Sequence, residues 1–444
     1  MSKGTVEKYA LLFVVCGIVF AANYAQYQVS GLTHLVVSDL HLTSAEFSAV
    51  LFAPFVPAVV FGMPVGVCAD RYGVKALVFI ASAISAIAAA ARAECASFAT
   101  LFTATMLLGA APCVVNAIVL KVLGSAFGGE TDRAMGWFYA AGSGGIACSL
   151  ATSPLFATPG RAYALAAVLF AVFGLLWLLV APSADVLQAA DGFGVQGAEP
   201  AASSASAFAA VIKMPIVWLV AILLGVALAS ATAYSGYLVS ALEASTEPKA
   251  AGLLASFVTL GSIVGSVAGP YVRAQFGDYR VFMAISAMAG SALMWAGEAF
   301  VSHPSLGLMF AIGVSSSVAG PVVQSLPYML PEVREGLAGS AGGVVSTVSL
   351  GLTFLIPVAL SFCIGESYET LLFGCAVLFG ATALLNNVNA KANLNGAGVA
   401  IPAVSRFTYV IFASALWAWP TRAKGVGLLD TKKEYRCDHS QRHR

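Results

Sequence analysis

Apolar stretches of about 20 residues recur along almost the whole chain, and they constrain its fold more than any other feature. The hydrocarbon core of a bilayer is about 30 Å thick, and an α-helix needs about 20 residues to cross it. Of the 444 residues, 59% are hydrophobic and 10% are charged, and the mean hydropathy is +0.88. A water-soluble core cannot hold that much apolar surface, so the pattern predicts a polytopic α-helical membrane protein.

We predict twelve membrane-spanning helices, numbered span 1 to span 12 in chain order. Their predicted bounds are 9–30, 46–69, 75–92, 99–123, 135–156, 161–181, 214–240, 250–272, 280–300, 304–328, 337–364 and 368–386. The first apolar run is too long for the apolar region of a signal peptide, so we expect it to be retained. The eight cysteines are scattered without metal-ligand spacing, and no metal or other cofactor is expected.

The spans fall into two groups of six. Between them, residues 182–213 are rich in Ala, Ser and Gly and contain no run long enough to cross a membrane. We therefore predict an N-terminal six-helix bundle at 1–181, a cytoplasmic linker at 182–213, a C-terminal six-helix bundle at 214–386 and a cytoplasmic tail at 387–444.

The tail contains one further apolar run, at 399–419, which is interrupted by Arg406 and followed by basic residues. Spanning there would place those basic residues outside, against the usual charge bias. We favour a helix that lies on the inner membrane surface, and a thirteenth span is the alternative.

The distribution of Lys and Arg predicts the orientation. On this layout eleven of them fall on the side of the amino terminus and three on the other side. Because cytoplasmic loops carry the excess of positive charge, both termini are expected in the cytoplasm. The eleven are Lys3, Lys8, Arg71, Lys75, Lys121, Arg133, Lys213, Arg273, Arg280, Arg334 and Lys391, and the three are Arg92, Arg161 and Lys249.

A motif lies between spans 2 and 3. It reads G-x-x-x-D-R-x-G-x-K and consists of Gly66, Asp70, Arg71, Gly73 and Lys75. This motif at this position, together with the six-linker-six layout, resembles the major facilitator superfamily over residues 5–390. A degenerate copy at 269–280, between spans 8 and 9, indicates that each half is one repeat. The resemblance implies the major facilitator fold, in which two six-helix bundles enclose a central cavity.

The resemblance also implies gating roles for the motif and for two arginines in a second pair of similar loops. These residues are Gly66, Asp70, Arg71, Gly73, Lys75, Arg133 and Arg334. At the start of span 11, the Asp70 carboxylate would accept unpaired backbone N–H groups and meet the positive end of a helix dipole, worth about 0.3 to 2 kcal/mol. The alternative is that the charges only solvate a tight turn and fix its topology.

In the family that the chain resembles, spans 1, 4, 7 and 10 line the cavity. Neutral hydrogen-bonding side chains on these spans are therefore candidate solute-binding residues: Asn23, Gln26, Asn116, Tyr234, Tyr237 and Gln324. For each of them alone, a helix-to-helix hydrogen bond is an equally good explanation. Glycines on spans 2, 5, 8 and 11 are expected either to let the halves slide or to serve static packing.

These observations predict a secondary active or facilitative transporter that moves a small polar or monoanionic solute by alternating access. A non-transporting membrane sensor of the same fold is the alternative. Motifs of metalloproteases and serine hydrolases are absent, so no enzyme is expected. The expected partners are the solute and the lipid bilayer, without nucleic acid, and the protein is expected to work as a monomer. Short loops favour the plasma membrane, as a multi-pass protein of a bacterial inner membrane.

Overall fold

The computed structural model describes residues 3–181, 211–320, 322–323, 338–365 and 367–393. Within these residues the regular structure is helical and contains no β-strand, which confirms the predicted all-α fold class. Described residues up to Asn389 belong to one compact unit that contains both halves, and those from Ala390 onward belong to another. The greater part of the predicted linker, and the apolar run at 399–419, lie outside the described residues.

The helices follow the predicted spans. In the N-terminal half they are Lys3–Gly31 (span 1), Ser44–Phe52 and Val56–Tyr72 (span 2), Val74–Ala91 (span 3), Phe98–Leu108 and Ala110–Phe127 (span 4), Thr131–Thr152 (span 5) and Pro159–Val180 (span 6). In the C-terminal half they are Pro215–Leu242 (span 7), Pro248–Arg273 (span 8), Tyr279–Ala299 (span 9), Leu306–Ser317 (span 10), Ala338–Ile364 (span 11) and Tyr368–Asn393 (span 12). A short helix, Thr33–Leu40, follows span 1 and was not predicted.

Nine segments among the described residues are long and apolar enough to cross a membrane. They correspond to spans 1 to 4, 6 to 9 and 11. Span 5 contains four glycines and falls outside this set, and the apolar helices of spans 10 and 12 are shorter in their described parts. The helical architecture therefore agrees with the prediction, whereas nine of the twelve predicted crossings meet the length and hydropathy criteria.

Spans 2 and 4 are each interrupted, and the interruptions face each other. Pro54 lies in a short 3-10 turn, Ala53–Phe55, that separates the two helices of span 2. Span 4 is divided at Gly109, where an added Cβ would collide with the carbonyl oxygen of Pro54. Glycine at this position therefore permits the close approach of the two spans.

The two halves pack in the same pattern. Span 1 packs on span 5 and span 2 on span 4, and correspondingly span 7 packs on span 11 and span 8 on span 10. The halves contact each other mainly along span 5 with span 8 and span 2 with span 11, and span 1 also contacts span 7. The contacts thus reproduce the repeat that the loop sequences indicate.

Two ends of the molecule differ in how the halves are joined. The near end holds the start of span 1 and the turn at Gly73, and the far end holds residues 31–44, 242–248, 364–365 and 367–368. One apolar core, the joint core, includes Phe47 and Leu51 of the N-terminal half and Leu238 and Leu242 of the C-terminal half. Two other cores, one in each half, are separate from it and from each other.

Candidate functional site

Hydrogen bonds between spans 1 and 7 join the two halves near the far end. The Tyr27 hydroxyl donates to the carbonyl oxygen of Thr232 at 3.3 Å, and the Ser30 hydroxyl donates to the carbonyl oxygen of Gly236 at 2.6 Å. Both donor side chains are buried. Buried hydroxyls that bond to a backbone carbonyl need no water, so this contact excludes solvent between the halves.

A buried cluster of three hydroxyls lies beside this contact. The Tyr237 hydroxyl on span 7 donates to Ser48 on span 2 at 2.8 Å and is 2.9 Å from the Ser361 hydroxyl on span 11. The hydroxyls of Ser48 and Ser361 are 2.5 Å apart. Backbone carbonyls of Ser44 and Pro357 complete the cluster at 2.6 and 2.9 Å. Three spans from both halves therefore meet at one hydrogen-bonded point.

Aromatic rings surround the hydroxyl cluster. Phe52 of span 2 meets the ring of Tyr237 edge to face, with centroids 6.3 Å apart. Phe47 of span 2 packs in the same manner on Tyr368 at the start of span 12, at 5.9 Å. Edge-to-face pairs are a favoured aromatic geometry, so these rings strengthen the closure of the far end.

A titratable pair also crosses between the halves. His34 Nδ1 of the short helix lies 3.1 Å from Glu243 Oε1, at the end of span 7. Beside it the Ser240 hydroxyl donates to the Thr33 hydroxyl at 3.1 Å. Burial raises the pKa of Glu243 to about 7, and burial lowers the pKa of His34 below its ordinary value.

The contacts between spans 2 and 11 are looser toward the near end. An added Cβ at Gly62 would come no closer than 4.0 Å to Thr347, and one at Gly351 would lie 3.7 Å from Val59. These are ordinary or longer van der Waals separations. Among the residues that the structure describes, these separations and the separate cores mean that the halves are held together more closely at the far end than at the near end.

Two of the predicted solute-binding residues lie at this closure. Gln26 is buried and donates through Nε2 to the carbonyl oxygen of Leu51 on span 2, at 3.2 Å. Tyr237 belongs to the hydroxyl cluster. Both side chains therefore contact the short first helix of span 2, residues 44–52. A capping box between Thr43 and Glu46 stabilises the amino-terminal end of this helix.

The other candidate solute-binding residues are dispersed. Asn23 is half-buried and donates to the Val19 carbonyl of its own helix at 3.0 Å. Tyr234 is buried within the C-terminal half, where it donates to the Met294 carbonyl on span 9 at 3.1 Å. Asn116 on span 4 is exposed. The remaining candidate, Gln324, lies outside the described residues.

Among the candidate gating residues, Gly73 and Lys75 are described in most detail. Gly73 has φ +82° and connects the helices of spans 2 and 3. Lys75 is exposed, and its carbonyl oxygen accepts a hydrogen bond from the indole of Trp177 on span 6 at 3.1 Å. Gly66, Asp70, Arg71 and Arg133 lie in helices, and the side chains of the last three are outside the described part of the structure. Arg334 lies outside the described residues.

Arg92 is a structural residue that the sequence did not indicate. Although it was counted among loop charges, it is only 2% exposed. Its guanidinium donates to the Ala25 carbonyl at 2.7 Å and to Gln28 Oε1 at 3.3 Å, and it lies 3.9 Å from the ring centre of Tyr163. Gln28 in turn donates to the Ala162 carbonyl at 2.6 Å. Arg92 thus connects span 1 to span 6, a contact that no sequence spacing could reveal.

The glycine pattern of span 8 serves packing within one half. Added Cβ atoms at Gly261, Gly265 and Gly269 would each collide with a carbonyl oxygen of span 10. Gly252, by contrast, lies against the Leu150 carbonyl of span 5, across the boundary between the halves. Of the two expected roles, static packing explains the first three, and the contact between the halves involves a glycine that the pattern did not single out.

A chain of apolar helices in two similarly packed halves, which meet along spans 2, 5, 8 and 11, has the architecture of a polytopic membrane transporter. The family model of the Major Facilitator Superfamily matches residues 12–357, and the chain belongs to this superfamily. It is therefore a multi-pass membrane protein of a transporter family rather than a member of an enzyme family. No curated protein sequence matches the chain.

The fold is also similar to that of a solved transporter. A crystal structure of a mutant of the nucleoside transporter NupG matches with a TM-score of 0.65. The match covers 86% of this chain and 99% of that chain at 14% sequence identity. At this identity the similarity establishes the fold alone.

Proposed function

We propose that this protein moves a small polar or monoanionic solute across the plasma membrane by alternating access, as a secondary active or facilitative transporter. The observation that carries the proposal is the difference between the two ends. Hydrogen bonds and aromatic contacts close the far end, whereas in the described part of the chain the apolar cores of the halves are separate toward the near end. A protein that alternates between two conformations is expected to have one end closed at a time.

The charge distribution assigns a direction to this conformation. With both termini in the cytoplasm, the near end faces the cytoplasm and the far end faces outward. The described conformation is then inward-facing. The motif residues Gly66, Asp70, Arg71, Gly73 and Lys75 belong to the near end, where they would hold the halves together in the opposite state, with Arg133 and Arg334.

The chemistry of the candidate solute-binding residues supports a solute with several hydrogen-bonding groups and little charge. Asn23, Gln26, Asn116 and Tyr237, together with Tyr234 and Gln324, are neutral donors and acceptors. Nucleosides satisfy this description, and a nucleoside transporter shares the fold, so they belong among the first solutes to test. The lipid bilayer is the other partner, and the proposed functional form is a monomer.

Solute binding is tested first by the thermal unfolding of the purified protein with nucleosides, amino acids, organic acids and inorganic anions. A ligand that binds the folded state stabilises it by RT ln(1 + [L]/Kd), about 2.7 kcal/mol at a hundredfold excess over Kd. Uptake of the stabilising solute into proteoliposomes then separates a transporter from a sensor. Binding without uptake would favour the sensor, and uptake of a multiply charged solute alone would contradict the proposed solute class.

The contribution of the cavity residues is tested by Asn116→Ala. Asn116 and Thr103 are both exposed polar residues on span 4, but Thr103 lines an apolar groove between spans 3 and 4. We expect Asn116→Ala to weaken solute binding several-fold because a hydrogen bond to the solute is lost. Thr103→Ala should leave binding unchanged. Equal binding by both variants would remove Asn116 from the proposed site.

A further inference from the structure

The pair formed by His34 and Glu243 is the titratable contact that joins the two halves at the far end. The 3.1 Å separation of His34 Nδ1 and Glu243 Oε1 is a hydrogen-bond distance, and which of the two atoms donates depends on the tautomer and protonation of His34. The side chains are 32% and 12% exposed. The contact exists only while the far end is closed, because its members belong to different halves.

The surroundings of the pair disfavour charge. The short helix that carries His34 buries Leu32 and Val36 in the joint core, and span 7 buries Leu242 in the same core directly before Glu243. Removing a carboxylate or an imidazolium from water has a large free-energy cost, whereas burying a neutral carboxylic acid hydrogen-bonded to a neutral imidazole has a small one. The two burial effects act in opposite directions on the two groups, which favours the proton on Glu243.

We propose that His34 and Glu243 form a proton-binding site that retains one proton as the far end closes. When the far end is open, both groups are in water, and near pH 6 the proton resides on His34 beside an ionised Glu243. On closure the proton passes from His34 Nδ1 to Glu243 Oε1 along the hydrogen bond. An imidazolium and a carboxylate become an imidazole and a carboxylic acid, so the number of protons and the net charge are unchanged.

The sign of the pH dependence follows for each group separately. The pKa of Glu243 is raised to about 7 in the closed state, so Glu243 alone makes closure more favourable as the pH falls from 7 toward its ordinary pKa. The pKa of His34 is lowered, so His34 alone makes closure less favourable as the pH falls below its ordinary value. In the native protein the two effects largely cancel, because the site holds about one proton in both conformations near pH 5 to 6 and none in either near pH 8.

Other titratable groups at the far end do not share this contact. The short helix packs on spans 1 and 7, where Tyr27 donates to a backbone carbonyl. Further described groups at this end are Asp39, His41, Glu46, Arg92, Glu94, Arg161, Glu247, Lys249, Glu298, His303, Tyr368 and Glu369. Within the described part of the chain, none of them forms an ion pair with His34 or Glu243. Glu366 lies outside that part.

The test measures opening of the far end directly, by hydrogen exchange of the amides in 30–40 and 236–246. Exchange rates of the full-length protein in lipid nanodiscs, corrected for the intrinsic effect of pH, are compared between pH 5 and pH 8. We expect His34→Gln to become about a hundredfold more protected at pH 5 than at pH 8. Glu243→Gln should show the opposite slope, with protection decreasing below pH 6.5. In the native protein, far-end protection from exchange should differ by less than tenfold between pH 5 and pH 8.

Matched controls use exposed residues at the same end. Glu247→Gln and His303→Gln remove the same titratable groups outside the contact and should behave as the native protein does. The proton site would be overturned if the single variants at His34 and Glu243 kept the native pH dependence of hydrogen-exchange protection. It would also be overturned if the control variants changed that pH dependence as much as the single variants do. The inference rests on the proposed alternation between two conformations. Opposite slopes without any solute uptake would contradict the transport function and leave the proton site standing.

Discussion

The Tyr237 hydroxyl on span 7 lies 2.8 Å from Ser48 Oγ on span 2, so this phenol hydrogen-bonds the C-terminal half to the N-terminal half. A second buried tyrosine one turn earlier, Tyr234, donates instead to the Met294 carbonyl within its own half. Two residues of the same type on the same helix therefore serve different purposes. Tyr237 stabilises the conformation in which the far end is closed, and Tyr234 stabilises the C-terminal bundle.

Tyr237→Phe should open the far end. The variant loses one of the two hydrogen bonds that Ser48 makes with the C-terminal half, the other being to Ser361, and such a bond is worth about 0.6 to 1.4 kcal/mol in a membrane protein. We expect a three- to tenfold increase in the labelling of a far-end cysteine by a membrane-impermeant maleimide. Tyr234→Phe is the control and should lower the melting temperature without changing the labelling. If the two variants label alike, the hydroxyl cluster does not control the closure.

Gly252→Ala should destabilise the closed far end. Its new Cβ would collide with the Leu150 carbonyl and lie 2.8 Å from Pro154, which forces spans 5 and 8 apart. We expect a cost of about 1 to 3 kcal/mol that falls on the closed state, seen as faster hydrogen exchange at the far end. Gly265→Ala, which collides with span 10 inside one half, should lower the melting temperature instead. A drop in melting temperature without faster far-end exchange in Gly252→Ala would contradict this assignment.

Gly73→Ala should reduce stability through the backbone alone. Gly73 has φ +82°, a conformation that costs a residue with a side chain about 1 to 3 kcal/mol, and no atom lies within 4 Å of the added Cβ. Gly124→Ala, in the helix of span 4, also adds a Cβ into open space and should be neutral or slightly stabilising. Thermal unfolding in detergent distinguishes the two, and equal melting temperatures would show that the turn relaxes without strain.

Arg92→Lys should destabilise the N-terminal half although it keeps the charge. A lysine cannot donate to both Ala25 and Gln28 while stacking on the Tyr163 ring, because it lacks the planar guanidinium. We expect a loss of about 1 to 3 kcal/mol in the free energy of unfolding. The exposed Arg161 offers the matched substitution, Arg161→Lys, which should change stability by less than about 0.5 kcal/mol. Equal free energies of unfolding for the two variants would mean that the Arg92 contacts do not stabilise the N-terminal half.

Hydrophobic length was sufficient to predict where most helices lie, because a bilayer imposes one length on every crossing. The breaks were less predictable. The sequence was read as one continuous span over residues 46–69, although Pro54 signals the 3-10 turn that divides it. The short helix Thr33–Leu40 was also missed, because eight residues are too few for a hydrophobic period to stand out.

Contacts between distant residues were beyond the sequence. His34 and Glu243 are 209 residues apart, and on the predicted layout both fall in loops between spans. Tyr237 was singled out as a polar residue within a span, yet its partners Ser48 and Ser361 are serines of a kind found throughout the chain. Which polar residues meet depends on the packing of spans from both halves, and periodicity within one helix carries no information about it.

The joint core has a consequence for how the molecule loses its structure. Phe47, Leu51, Leu238 and Leu242 belong to one apolar core, so neither half can loosen at the far end without exposing apolar surface of the other. The near end has a separate core in each half, and there each bundle can fray alone. Partial unfolding should therefore begin at the near end as two independent events and reach the far end as a single cooperative one.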